Sequence, residues 1–128
     1  MTGKRQAAEA RGRRAETLTA IWLMAKGYRI LARRARTPYG ELDLVAKRGP
    51  VLAFVEVKTS DKQGRAVHAL SPRQQGRLIR AGAWFRSRSD EFARLQPRFD
   101  LMIIEPGRWP EHRRGAWQAE GRDALDLN

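Results

Sequence analysis

Residues 40–59 read Gly-Glu-Leu-Asp-Leu-Val-Ala-Lys-Arg-Gly-Pro-Val-Leu-Ala-Phe-Val-Glu-Val-Lys-Thr, and this stretch decides the fold. Two runs rich in apolar and β-branched residues flank Arg48-Gly49-Pro50, which is turn chemistry. Glu41 to Lys47 therefore reads as one strand and Val51 to Thr59 as the next. Working back, Tyr28 to Arg36 alternates, with Tyr28, Ile30 and Ala32 set against Arg29, Leu31 and Arg33. That period suits another strand, joined to the first by the turn Thr37-Pro38-Tyr39-Gly40. Three short strands joined by tight turns imply an antiparallel meander.

Helical signals flank the meander. Ala15 to Lys26 lacks Gly and Pro, and Gly27 closes it as a helix C-terminal glycine does. Leu18, Ile21, Trp22 and Ala25 form one apolar stripe, and Ala20 and Leu23 a second, with Glu16 one turn before it. So wide an apolar surface predicts cover on more than one side. After a polar loop at Asp61 to Ala69, Ser71-Pro72 announces a second helix reaching about Arg88. Phe99 to Ile104 reads as a last strand, closed by Pro106-Gly107. The predicted class is α/β: a mixed sheet flanked by helices, in the order helix, three-stranded meander, helix, strand. A helix between the third and fourth strands permits a parallel crossover. With 128 residues, one domain spanning 1–128 is expected. Residues 1–14 form a basic lead-in, and 108–128 a tail with two tryptophans and little periodicity.

The acids of the hairpin are its chemically informative residues. Glu56 and Lys58 share a strand face with Phe54, because strand side chains alternate. Asp43 lies on the neighbouring strand and joins that face in one of two registers. Two carboxylates and a lysine then converge near the strand ends. Carboxylate oxygens suit a hard divalent cation, with the Val57 carbonyl as a further donor. Such a cation lowers the pKa of a bound water and neutralises phosphodiester charge, and a lysine beside it can orient the water or stabilise the transition state. Val-Glu-Val-Lys also fits an ordinary strand with its charges turned to solvent. Against that stands the apolar run from Val51 to Val57, in which a buried carboxylate needs a partner.

Composition narrows the chemistry further. The formal net charge is +12, an attractive field for polyanions and for nucleic acid above all. High arginine content also arises from GC-rich coding, so charge alone does not name the partner. There is no cysteine, which excludes disulfides, thiolate metal sites and cysteine nucleophiles. The only histidines, His68 and His112, lack ligand spacing and read as structural or surface residues. A bound metal would therefore take oxygen ligands, which favours Mg²⁺ or Mn²⁺. The uncharged apolar stretch near the N-terminus, Ala20 to Ala25, is far short of the roughly 20 residues a membrane span needs. No secretory leader is visible either, so a cytoplasmic protein without membrane partners is expected.

The sequence resembles the YraN family of small bacterial proteins, related to the Holliday-junction resolvases within the PD-(D/E)xK nuclease superfamily. The resemblance runs from about Gly12 to Leu101. It rests on Gly27-Tyr28-Arg29-Ile30-Leu31, Gly40-Glu41-Leu42-Asp43-Leu44-Val45, Phe54-Val55-Glu56-Val57-Lys58-Thr59 and Arg98-Phe99-Asp100. It implies a restriction-endonuclease-like fold, with Asp43, Glu56 and Lys58 as the catalytic triad and Glu16 as the acid of the first helix. It implies Mg²⁺- or Mn²⁺-dependent endonuclease chemistry on branched or structured DNA, and, by analogy alone, a homodimer. The sequence departs from the family at Ala15, where glycine is usual, at Arg34, where asparagine is usual, and at Gln74, where lysine is common.

Glu41, beside Asp43 on the same strand, reads as structural or as a partner for a nearby arginine. Arg33, Arg34 and Arg36 before the turn, and Arg73, Arg77 and Arg80 on the second helix, are candidate phosphate contacts or solvated surface charge. Phosphate contacts of this kind carry no base specificity. Two other functions remain open: a nucleic-acid-binding module without catalysis, and an interaction protein using the first helix and the tail.

Overall fold

In the computed structural model, residues 2–59 and 70–117 are described. The meander forms as its turns and alternation require. β1 (Arg29–Thr37), β2 (Gly40–Arg48) and β3 (Val51–Thr59) pair antiparallel in sequence order. Gly40 and Gly49 sit at the turns with φ of 117° and 56°, a region that costs glycine little. α1 (Thr2–Ala25) precedes the meander and α2 (Pro72–Arg86) follows it. A short α3 (Asp90–Ala93) then leads into β4 (Gln96–Ile104), which lies parallel to β3. β5 (Glu111–Trp117) pairs antiparallel with β4 and completes a sheet of order β1-β2-β3-β4-β5. A mixed open sheet with a helix layer on each face is the arrangement of a restriction-endonuclease-like core.

Each helix layer has its own core. On one face Ala20, Leu23 and Tyr28 pack with Leu44, Ala46, Ala53, Val55 and Met102. On the other, Leu78, Ile79 and Ala81 of α2 pack with Val45, Leu52, Phe54, Phe99, Leu101 and Ile103. Burying both faces makes the central strands near-continuous apolar runs. α2 starts with a capping box: Ser71 Oγ accepts from the Gln74 amide, and the Gln74 side chain returns to Ser71. Gln74 therefore has a local structural use.

The structure extends the sequence reading in three places. α1 begins at Thr2, because residues 2–14 are Ala- and Arg-rich helix formers whose polarity all round leaves no periodic signal. β5 occupies part of the unassigned tail, where Gly115 (φ 60°) and short length blunt the alternation. α2 ends at Arg86, two residues before the expected stop. One expectation fails. The stripe Leu18, Ile21, Trp22, Ala25 is not a second buried face: Leu18 and Ile21 are 42% and 55% exposed. The sheet covers only the Glu16–Ala20–Leu23 side, and on the outer side the Trp109 ring lies tilted at 34° to Trp22 with centroids 5.7 Å apart. The loop expected at Asp61 to Ala69, His68 within it, and residues 118–128 lie outside the described residues.

Candidate active site

Where β2 and β3 part, a side chain takes over from the ladder. Their pairing ends at Leu44↔Val55. Beyond it the Val57 amide donates to Asp43 Oδ2 at 2.9 Å. The same point shows in the packing. Leu44 belongs to the α1-side core and Leu42 to the α2-side core, although strand alternation would put them together. β2 thus rolls over at Asp43. The triad meets, but through this roll and the Asp43–Val57 hydrogen bond, not through continued regular register. Glu56 and Lys58 follow from β3, with Lys58 Nζ 3.7 Å from Glu56 Oε1.

Burial and like charge set the electrostatics. The Glu56 side chain is 11% exposed. Burial first, and then the charge of Asp43, push its carboxyl up to about 8, against the opposing pull of Lys58 and Arg77. Burial also raises Asp43, opposed by the Val57 amide and Lys58. The two carboxyl groups act on each other and both are raised, so the pair keeps a proton near neutral pH.

Glu16 and Lys58 border the same opening. A groove of about 520 Å³ runs between the N-terminal half of α1 and the ends of β2 and β3. Gly12, Glu16, Arg34, Asp43, Val57 and Lys58 are among its lining residues. Glu16 is buried at its side, and both its oxygens are taken: Arg33 Nε donates to Oε1 at 3.1 Å and Arg34 Nε to Oε2 at 2.9 Å.

The arginines separate by position. Arg33 and Arg34 both pair with Glu16 and Arg34 lines the groove, while Arg36 faces Glu41 across the β1–β2 ladder. Arg73 is exposed in the first turn of α2. Arg77 reaches from α2 to the β1–β2 turn, with Nη1 3.4 Å from the Tyr39 carbonyl, and its charge acts on Glu56. Arg80 is exposed on α2.

The donor set fits a hard cation. Two adjacent carboxyl groups, one of them forced to keep its proton, form a pair that a divalent ion neutralises. Among the described residues no three Asp, Glu or His side chains group as a metal cage. Backbone oxygen and water would complete the shell, as Mg²⁺ usually prefers.

Sequence reasoning did not anticipate a second polar cluster on β4. Asp100 is fully buried and accepts from Arg98 Nε (2.9 Å) and Nη2 (2.8 Å), His112 Nε2 (2.8 Å) and the Gly115 amide (3.0 Å). Lys26 Nζ lies 2.7 Å from His112 Nδ1, so His112 accepts there and donates from Nε2. Arg98 also donates to the Tyr28 hydroxyl. This cluster ties the α1–β1 corner to β4 and β5, and gives the motif Arg98-Phe99-Asp100 a structural meaning. His112 is thus a structural residue with a buried side chain. Its partner distances are tertiary and leave no spacing signal in the sequence.

Residues 15–104 match the model of the "Uncharacterised protein family UPF0102". A UPF0102 protein of Maricaulis maris is 50% identical over 127 residues, 99% of each chain. One of Parvibaculum lavamentivorans is 52% identical over 107 residues, 84% of this chain and 80% of that one. One of Caulobacter sp. is 48% identical over 117 residues, 91% and 84% of the two chains. With its meander, its Asp43–Glu56–Lys58 cluster and its Arg98–Asp100 pair accounted for by the fold, the chain belongs to UPF0102, the YraN family.

Proposed function

We propose that this protein is a Mg²⁺- or Mn²⁺-dependent endonuclease acting on DNA, with branched or structured DNA as its substrate class. The observation that carries the reading is the buried Asp43–Glu56 carboxyl pair beside Lys58, of which Asp43 and Lys58 line an arginine-bordered groove. Asp43 and Glu56 would hold the cation, with the Val57 carbonyl as a neighbouring donor. When bound, the ion supplies a water of lowered pKa and neutralises charge on the phosphodiester.

The remaining steps belong to the chain. Asp43 is held by the Val57 amide, which fixes the direction of its free lone pairs. Glu56 would release its proton to solvent when an ion is bound, because the cation would offset both the burial and the Asp43 charge that retain it. Lys58 is placed to orient the attacking water and to stabilise the charge that develops on the non-bridging oxygens. Arg33, Arg34, Arg36, Arg73 and Arg77 supply phosphate contacts that position the strand without reading its bases.

Calorimetric titration of Mn²⁺ into wild type and Asp43→Ala tests the site: binding only in the wild type is expected, and equal binding in both refutes it. Cleavage of a labelled four-way junction, lost in Glu56→Ala, tests the reaction. A second reading is a nucleic-acid-binding module without catalysis. It is favoured by the sequestration of Glu16, which leaves two acids and not three at the pair. Under it, Glu56→Ala leaves DNA affinity unchanged and no metal produces cleavage.

A further inference from the structure

Arg34 is the only non-glycine residue with positive φ among the described residues, at 51°. Asparagine enters that region several times more readily than most side chains do. The pairs on either side, Arg33↔Leu44 and Ala35↔Leu42, set Arg34 opposite Asp43. The strained residue and the roll of β2 therefore fall at the same point. A costly backbone state held in place beside a candidate site invites a functional reading.

The side chain supplies that reading. Arg34 spends its Nε on Glu16, whose side chain is 8% exposed, while its own is 43% exposed. Among the described residues its terminal nitrogens have no hydrogen-bond partner, and it lines the groove with Asp43 and Lys58. The charges of Glu41 and Asp43 act on it as well. A guanidinium is a planar fork of five donors, so one edge can be held by an acid while another meets phosphate oxygens. Glu16 is committed to arginines through both oxygens, which is poor use of a cation ligand and good use of a bracket.

We infer that Arg34 is a phosphate clamp of the groove, aimed there by Glu16, and that Glu16 is a positioning residue rather than a cation ligand. This deepens the phosphodiester-binding reading above and rests on it. The bound group is a backbone phosphate near the one presented to Asp43 and Glu56.

The test uses the full chain, a short fluorescein-labelled DNA duplex in EDTA, and a salt series read by anisotropy. Arg34→Asn, which suits the left-handed backbone, is expected to weaken binding several-fold and to reduce the log–log salt slope by about 0.9. Glu16→Gln gives the decisive sign. Removing an acid from a basic surface should tighten polyanion binding by charge alone, whereas loss of positioning weakens it. In an Arg34→Asn background the Glu16→Gln weakening should shrink, leaving only what Glu16 does through Arg33. Arg34→Lys keeps the charge without the fork, and should weaken binding at an unchanged melting temperature even if Arg34→Asn folds poorly.

Mn²⁺ titration adds an arm: Glu16→Gln should bind the ion as wild type does. The inference is overturned by Glu16→Gln binding DNA as well as or better than wild type, by an unchanged slope in Arg34→Asn, by wild-type affinity in Arg34→Lys, or by lost Mn²⁺ affinity in Glu16→Gln. Because the DNA arms are run without metal, failure of cleavage would sink the nuclease reading and leave the Arg34 result standing.

Discussion

Replacing Glu56 by glutamine is expected to stabilise the metal-free protein at alkaline pH and to flatten its pH profile. The folded chain holds the Glu56 carboxyl at about 8, against an ordinary 4.5. Between those values the folded state keeps a proton that the unfolded state releases. Stability is then fullest below about 4.5 and falls as pH rises toward 8. At about 1.4 kcal/mol per pH unit the whole effect has an upper bound of about 5 kcal/mol. Solvent entry at a side chain that is 11% exposed reduces this to about 2–3 kcal/mol. Glutamine keeps the shape and a hydrogen bond to Asp43 without the ionisation. The assay is urea unfolding of both proteins in chelator, from about pH 5 to about pH 9, with m values compared to exclude a change in the unfolded state. The variant's advantage should grow with pH across that range. An advantage independent of pH would refute the claim that burial and Asp43 hold a proton on Glu56. Adding Mn²⁺ at alkaline pH should recover about 2.7 kcal/mol at a hundredfold excess over Kd in wild type, and less in Glu56→Gln.

Other perturbations test the frame around the site. Asp100→Asn should cost about 3–5 kcal/mol, read by calorimetric melting, because Arg98 would lose its buried counter-charge. Burial alone would raise the Asp100 carboxyl, but the bonds from His112, Arg98 and Gly115 hold it below its ordinary value, so its contribution should disappear as pH falls into the acid range. Gly82→Val should destabilise by about 1–3 kcal/mol in denaturant unfolding, because a Cβ there would meet Phe99 at 3.0 Å and Phe54 at 3.1 Å. Arg77→Ala should move the Glu56 titration, followed by carboxyl ¹³C shift, further upward, since Arg77 lowers it. No movement there would show that Arg77 does not act on Glu56.

The sequence by itself determined the meander, the helix with its Ser71-Pro72 start, and a fourth strand after it, while that strand's parallel pairing was only permitted. These rest on local signals: period-two alternation, turn residues and caps, each readable within a few positions. It also brought Asp43, Glu56 and Lys58 within reach of one another, because antiparallel strands joined by a tight turn leave few registers. The tertiary structure decided how they meet. The roll of β2 at Asp43, the left-handed Arg34 opposite it and the capture of the Val57 amide by a side chain are properties of strands packed between two helices. It likewise decided which stripe of α1 is buried, since periodicity marks apolar faces but not which of them finds a sheet. The commitment of Glu16 to two arginines, and of Asp100 to Arg98 and His112, was equally out of reach: each joins residues from separate elements, and no local pattern records the partner a buried charge will find.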